Sequence, residues 1–204
     1  ERANMTDQET IDAVDRYRTL FEKIENISCP TIARIHGFAL GGGLEFSLSC
    51  DFRFSSKDAL IGFPETSIGI IPGAGGTQRL PRLIGPSHAL KMMLAGTPIS
   101  AKKALQQGVI DEISENSLIE DAILFLQDKI SLDEHPKVRD RNDKLIEARG
   151  DDNVLAEARA LAAKTRRGQF APGQIIACVE AAINEDNFDD GMKIVKEISD
   201  HVPV

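Results

Sequence analysis

Apolar residues recur at three- and four-residue steps in the first part of the chain, which predicts an amphipathic helix. Thr6 and Glu9 are spaced as in a capping box, so the helix should begin just after Thr6. We expect it to end near Asn26, because Pro30 follows closely. Its apolar stripe consists of Ile11, Val14, Tyr17, Phe21 and Ile24.

Short apolar runs separated by glycine and polar residues follow, and they predict strands that alternate with helices. Ser100 is placed to cap the last helix of this stretch, which should end near Gly108. The predicted strands are 31–35, 51–54 and 59–63, and the predicted helices are 44–50, 77–83, 87–94 and the one that Ser100 caps.

Beyond about residue 115 glycine becomes scarce and charged residues increase, so this part of the chain predicts helices alone. The predicted helices are 117–130, 136–149, 152–166, 172–184 and 188–199. Alternating strands and helices followed by helices are typical of an α/β core with a helical C-terminal region. We therefore expect a core at 1–115 and a helical region at 116–204.

Composition limits the partners that we expect. The net charge of −8 argues against nucleic acid, which is bound by clustered Lys and Arg. No apolar run approaches the ~20 residues that a membrane-spanning helix needs. The cysteines and histidines lack disulfide or metal-ligand spacing, so we expect no metal site and reduced, mostly buried thiols. These residues are Cys29, Cys50, Cys178, His36, His88, His135 and His201.

Two acidic residues differ from the others in their surroundings. Glu45 and Glu65 each stand beside apolar residues and glycines, where burial raises the pKa of a carboxyl toward values useful for proton transfer. Two such carboxyls with a water between them could act as general acid and general base. The alternative, still open at this point, is that each caps a helix or pairs with an arginine such as Arg53 or Arg79.

Two glycine-rich turns precede predicted helices. At 41–43, backbone N–H groups at a helix start could hold a developing oxyanion on a thioester carbonyl, and the alternative is a plain tight turn. The turn at 73–76 does not support phosphate binding. It lacks the Lys-Ser/Thr end of a P-loop, and Gln78 breaks the GxGxxG spacing.

The segments that contain these features resemble the signature of the enoyl-CoA hydratase/isomerase (crotonase) superfamily. The likeness is close from about 30 to 113 and weaker in the opening helix. It is carried by Ile35–Glu45, Gly62–Glu65, Ile71–Leu80, Ile84–Gly85, Leu94–Gly96, Ala101 and Gly108–Ile110.

The resemblance implies roles for four residues. Glu45 and Glu65 match the two catalytic glutamates of hydratases, Gly42 matches an N–H donor of the oxyanion hole, and Gly73 matches the glycine that helps to place the reacting water. It also implies a crotonase-like spiral of ββα turns, a helical tail exchanged between subunits, and a homotrimer or hexamer. Since Glu1–Ala3 resembles the stretch just after the family's other oxyanion donor, we expect the N-terminal part of the core to be absent.

The activity implied by the resemblance is the reversible hydration of trans-2-enoyl-CoA in fatty-acid β-oxidation, with no cofactor beyond the acyl-CoA substrate itself. Phe63 departs from the pattern, because some hydratases carry glutamine there. The alternatives are a delta isomerase on the same fold and a non-catalytic binding or scaffold fragment. The resemblance implies a cytoplasmic protein in a bacterium, or a mitochondrial or peroxisomal one in a eukaryote.

The tail from Arg166 to Gly191 has a resemblance of its own. It is similar to the segment that follows the hydratase part of multifunctional β-oxidation enzymes, where a hydroxyacyl-CoA dehydrogenase comes next. An ordinary amphipathic helical tail is the alternative.

Overall fold

The computed structural model describes residues 5–115, 117–131 and 136–201, and the sequence positions Glu1–Ala3 and His135 lie outside them. Its first helix, α1 (Asp7–Glu25), has the predicted capping box: the Glu9 N–H donates to the Thr6 hydroxyl, and the Thr6 N–H donates to the Glu9 carboxylate. The strands are β1 (Ile32–Ile35), β2 (Phe38–Leu40), β3 (Phe52–Ser55), β4 (Leu60–Gly62), β5 (Ile99–Ser100) and β6 (Glu112–Ile113). The later helices are α2 (Gly42–Leu48), α3 (Gly76–Ile84), α4 (Pro86–Ala95), α5 (Ala101–Gln107), α6 (Leu118–Ser131), α7 (Asp143–Ala148), α8 (Asp152–Thr165), α9 (Ala171–Asn184) and α10 (Phe188–Asp200).

Two small sheets form the strand part of the core. One contains β1, β3 and β6, all parallel, with β3 in the middle. In the other, β4 pairs in parallel with β2 and antiparallel with β5. β3 is buried along its length, and α6 packs against it through Phe125, whose ring lies 5.2 Å from that of Phe52 and 5.6 Å from that of Phe54.

The second sheet leads the chain to both candidate glutamates from the same side. Its neighbouring strands β2 and β4 run in the same direction with Leu40 opposite Gly62, so both end at one edge of the sheet. The chain passes from β2 directly into α2, which carries Glu45, and from β4 through Phe63 and Pro64 to Glu65. Parallel pairing therefore brings together two acids that are well separated in the sequence.

Helix α3 lies at the centre of the molecule, and all nine of its residues are buried. It packs against α2, α4, α7 and α9. Polar side chains in such a position need internal partners, because water does not reach them. Gln78 Nε2 accordingly donates to the Cys178 carbonyl at 2.6 Å, and Arg79 pairs with Glu25.

The C-terminal region is helical, as predicted, but the single helix predicted at 136–149 is wrong. A 3₁₀ turn at Val138–Asp140 and an extended residue, Arg141, come before the short helix α7. Val138 is buried in the core, and Arg139 contacts Glu25 and Asp189 from distant parts of the chain. These long-range contacts outweigh the local helical pattern. The predicted α/β class with a helical C-terminal region is confirmed.

Two features expected from composition can be compared with the structure. Cys50 and Cys178 are buried, and Cys29 is exposed. In the described ranges, no helix has both the length and the apolar character that crossing a membrane requires.

Candidate active site

A cavity of about 880 Å³ lies between α1, the start of α2, the turn after β4 and the end of α10. All four residues singled out in the sequence, Gly42, Glu45, Glu65 and Gly73, line it. Much of the remaining wall is apolar, and this wall is formed by Ile11, Val14, Tyr17, Leu20, Phe21, Phe46, Ile68, Ile70 and Ile71. The cavity therefore combines two carboxyls with a surface that suits a hydrophobic ligand.

Glu45 projects from the first turn of α2, and only 4% of its surface is exposed. Its Oε1 accepts hydrogen bonds from the N–H groups of Ala74, at 2.9 Å, and Gly76, at 2.7 Å. Burial raises the pKa of this carboxyl, while the Gly76 N–H, the charge of Arg79, the Ala74 N–H and more distantly Arg18 oppose the rise. The result is a fixed carboxyl that holds a proton more readily than an exposed glutamate does.

Glu65 begins a 3₁₀ turn, Glu65–Ile68, and 6% of its surface is exposed. The turn is fastened to α4, because the Thr66 hydroxyl donates to the Met93 carbonyl at 2.9 Å. The carboxyl itself lies against the backbone of Gly41: a Cβ atom at that glycine would be 2.7 Å from Glu65 Oε1. Because Gly41 has no side chain, the Glu65 carboxyl can occupy this space.

Arg53 and Arg79, which the sequence offered as alternative partners for the two glutamates, pair with other residues. Arg53 Nη2 lies 2.7 Å from Asp111 Oδ2, and Arg79 Nε lies 2.8 Å from Glu25 Oε1. Glu45 is therefore held by backbone N–H groups, one of them from Gly76, the first residue of α3, as in the helix-capping alternative. Arg79 influences it only at a distance.

The glycines that line the cavity reach it in different ways. Gly41 has a φ of 54° and donates its N–H to the Gly62 carbonyl at 3.0 Å, so the chain turns sharply into α2. Gly42 is the first residue of that helix, where an N–H has no intrahelical partner. Gly73 lies close to the end of α10, and a Cβ atom there would be 3.0 Å from Ser199 Oγ.

Sequence reasoning missed the residues that hold the Gly73–Gly76 segment. Arg18 Nε donates to the Gly73 carbonyl at 2.9 Å, and Arg79 Nη1 donates to the Ala74 carbonyl at 3.0 Å. A signal was present in the pattern of α1. Arg18 lies four residues after Val14 and three before Phe21, and Glu25 lies four after Phe21, so charged residues interrupt its apolar stripe.

The cavity also involves the far end of the chain. Ser199, Asp200 and His201 line it from α10 and the residue that follows. For metal binding, no group of three or more His, Cys, Asp or Glu side chains with suitable placement occurs in the part of the chain that the structure describes.

Comparison with known proteins gives a consistent set of similarities. A family model described as enoyl-CoA hydratase/isomerase matches residues 1–170. The chain is 37% identical over 171 residues to the fatty acid oxidation complex subunit alpha of Shewanella frigidimarina, a match that covers 81% of this chain and 24% of that protein. It is 46% identical over 118 residues to the enoyl-CoA isomerase/hydratase fer4 of Mycosarcoma maydis, covering 57% of this chain and 43% of the other.

Similarity extends to a peroxisomal bifunctional enzyme and to a solved structure. The peroxisomal bifunctional enzyme of Cavia porcellus is 37% identical over 164 residues, covering 80% of this chain and 22% of its own length. The chain thus spans less than half the length of these curated relatives. The crystal structure of an enoyl-CoA hydratase from Bacillus anthracis aligns with a TM-score of 0.62 at 34% identity, covering 85% of this chain and 74% of that one.

Proposed function

The chain belongs to the enoyl-CoA hydratase/isomerase family, and we propose that it catalyses the reversible hydration of trans-2-enoyl-CoA to 3-hydroxyacyl-CoA, as in fatty-acid β-oxidation. The observation that carries the proposal is the meeting of Glu45 and Glu65, both buried, in one cavity that Gly42 also lines. Hydration of a conjugated thioester needs a base for water, an acid for the α-carbon and a donor for the carbonyl oxygen. These three residues supply one group each.

In this mechanism Glu45 orients the water and accepts its proton as the water oxygen bonds to C3 of the enoyl group. Glu65 enters the step protonated and delivers its proton to C2, so that one water molecule is added in total. Exchange with solvent then returns both carboxyls to their starting states. Both hydrogen bonds that hold Glu45 go to Oε1, so we assign Oε2 to the water.

The Gly42 N–H is proposed to lower the barrier in a different way. As water adds, negative charge develops on the thioester oxygen, and the Gly42 N–H is proposed to stabilise it. Removing one oxyanion donor costs about 3–4 kcal/mol in comparable sites. We assign Gly73 to the placement of the water, because it precedes the two N–H groups that bind Glu45.

The proposal is tested with Glu45→Gln and Glu65→Gln, which keep the size of each side chain and remove its acid/base chemistry. We expect hydration of trans-2-butenoyl-CoA, followed by the loss of enoyl-thioester absorbance, to be nearly abolished in each variant. Circular dichroism should show an unchanged fold. Glu147→Gln, at an exposed position of α7, is the matched control and should keep full activity. Full activity in both site variants rejects the assignment.

A second candidate activity uses the same cavity. The Mycosarcoma maydis relative is named an isomerase/hydratase, and isomerisation of a 3-enoyl to a 2-enoyl thioester needs only one carboxyl that removes and returns a proton. Incubation with 3-enoyl-CoA distinguishes isomerisation from hydration. If Glu45→Gln loses hydration and keeps formation of the conjugated product, Glu65 alone performs the isomerisation. Absence of both activities in the wild-type chain would favour a non-catalytic binding or scaffold role.

We propose a homotrimer or hexamer as the assembly. Several large apolar side chains outside the cavity are exposed on the isolated chain, among them Phe38, Leu124 and Phe170, each with more than half of its surface accessible. Burial of such side chains between subunits would remove apolar surface from water. Sedimentation velocity tests this directly, and a single species with the mass of one chain would contradict it.

A further inference from the structure

Arg18 lies in the middle of α1 with its side chain mostly buried, and it does not line the cavity. Its guanidinium contacts the Gly73–Gly76 segment, where Nε donates to the Gly73 carbonyl at 2.9 Å. A partly buried guanidinium requires strong partners, and a charge-assisted hydrogen bond to a carbonyl is one of the stronger contacts available to it. Arg18 is therefore fixed against the backbone at the start of the segment that binds Glu45.

The carbonyl that accepts a hydrogen bond from Arg18 and the N–H that donates one to Glu45 belong to the same peptide unit. This unit joins Gly73 to Ala74, and its N–H donates to Glu45 Oε1 at 2.9 Å. Because a peptide unit is planar and trans, its C=O and N–H point in opposite directions. Fixing the carbonyl therefore aims the N–H. A donor on the carbonyl also polarises the unit, which strengthens the hydrogen bond on its other side.

Other charged residues hold Arg18 in place. Its Nη1 lies 2.7 Å from Asp15 Oδ1 and 3.9 Å from Asp200 Oδ1. Lys196 of α10 bonds to the other oxygen of Asp15 and lies 3.4 Å from Asp200 Oδ2. The guanidinium thus has partners on both helices, which limits its freedom to leave the Gly73 carbonyl.

We propose that Arg18 is a positioning residue for Glu45, which acts through the Gly73–Ala74 peptide unit without touching the substrate. The proposal rests on the assigned hydration for its kinetic consequence, but its structural part is independent of any activity. Without Arg18 the peptide unit can rotate, and Glu45 then loses a donor that fixes its carboxyl. The chemical step should suffer more than substrate binding, because Arg18 itself does not line the cavity.

The experiment compares Arg18→Leu and Arg18→Lys with Arg16→Leu, which removes the same charge from an exposed position of α1. For Arg18→Leu we expect kcat with trans-2-butenoyl-CoA to fall by ~10- to 100-fold, as small displacements of catalytic groups do. KM should change by no more than about two-fold, since the loss is in the chemical step. Arg18→Lys should recover part of kcat, and Arg16→Leu should match the wild type.

A second readout separates this proposal from the assigned activity. In ¹⁵N-labelled protein, the Ala74 amide signal should shift and exchange with solvent faster in Arg18→Leu than in the wild type or Arg16→Leu. An unchanged Ala74 amide in a folded Arg18→Leu chain overturns the proposal, even if the wild type hydrates no enoyl-CoA. Wild-type kcat in Arg18→Leu, or an equal loss in Arg16→Leu, also overturns it.

Discussion

Glu25 and Arg79 form a two-point ion pair between the last residue of α1 and the middle of α3, with Nε–Oε1 at 2.8 Å and Nη2–Oε2 at 2.9 Å. Both side chains are almost fully buried. Arg79 also donates from Nη1 to the Ala74 carbonyl, so the pair supports the segment that binds Glu45. Arg139 adds a second, longer contact to the same carboxylate at 3.5 Å.

Breaking this pair should destabilise the protein strongly. In Glu25→Gln the carboxylate charge is lost, and a buried guanidinium remains without its counter-charge. Removing one partner of a buried ion pair costs about 3–5 kcal/mol, so we expect a loss of this size in the free energy of unfolding, measured in urea.

An exposed pair provides the control for that measurement. Arg159 and Glu180 lie 2.9 Å apart with both side chains substantially accessible to solvent. Exposed pairs contribute about 0–1 kcal/mol, so Glu180→Gln should change the unfolding free energy very little. Equal losses in the two variants would contradict the structural role given to Glu25.

Gly41→Ala should disturb Glu65. The added Cβ would lie 2.7 Å from Glu65 Oε1, and the φ of 54° is unfavourable for any residue with a side chain. Backbone strain of this kind costs about 1–3 kcal/mol. We expect a lower melting temperature, together with a loss of hydration activity because the carboxyl is displaced.

Gly37→Ala separates these two effects. Gly37 also has a positive φ, of 65°, but a Cβ atom there meets nothing within 4 Å. This variant should lose stability and keep kcat. The assignment of Glu65 is weakened if both alanine variants keep wild-type kcat.

Gly76→Ala should disturb Glu45 and its neighbour Phe63. A Cβ atom at Gly76 would lie 2.7 Å from Phe63 Cζ and 3.0 Å from Glu45 Oε1. Overpacking a tight core costs about 1–3 kcal/mol. We expect both the melting temperature and kcat to fall, whereas Gly173→Ala, at an open position of α9, should keep kcat and should not lower the melting temperature. Wild-type kcat in Gly76→Ala would argue against a fixed role for the Glu45 carboxyl.

The pH dependence of hydration should reflect the raised pKa of Glu45. Burial raises this pKa above its ordinary value of 4.5, so the carboxyl is still protonated at a pH where an exposed glutamate has ionised. In the proposed mechanism the base form is the active one, and kcat/KM should therefore fall on the acid side with a midpoint above pH 4.5. The ¹³C carboxyl signal that disappears in Glu45→Gln identifies the titrating group. A midpoint at or below the ordinary value would contradict this.

The raised pKa of Glu45 also affects how the stability of the fold depends on pH. The folded state binds the Glu45 proton more tightly than the unfolded chain does, since its pKa is raised. Its contribution to stability is therefore fully present below the unfolded pKa and is lost as the pH rises through the folded pKa. A carboxyl with a lowered pKa shows the opposite trend.

Local features of the fold could be predicted from the sequence wherever the physical cause is local. The capping box of Thr6 and Glu9 begins α1, and Ser100 caps α5 by accepting from the Lys103 N–H, both as predicted. The resemblance identified Glu45 and Glu65, which the structure brings to one cavity. Their catalytic roles remain predictions.

Features caused by distant contacts could not be predicted. The break before α7 depends on Arg139, whose partners Glu25 and Asp189 are far from it in the sequence. The hydrogen bond from Arg18 to Gly73 spans 55 positions, and no local pattern specifies which carbonyl an arginine will reach. The interrupted apolar stripe of α1 indicates that a buried charge needs a partner, but it does not identify that partner.

The cavity draws its walls from opposite ends of the described chain, since Asp7 near the start of α1 and His201 after α10 both line it. Such a site is complete only when the first and last helices have met. Contacts between remote parts of a chain also slow folding, because much conformational freedom is lost before they form. A ligand that binds there stabilises only the completed fold and should suppress partial unfolding at both ends together.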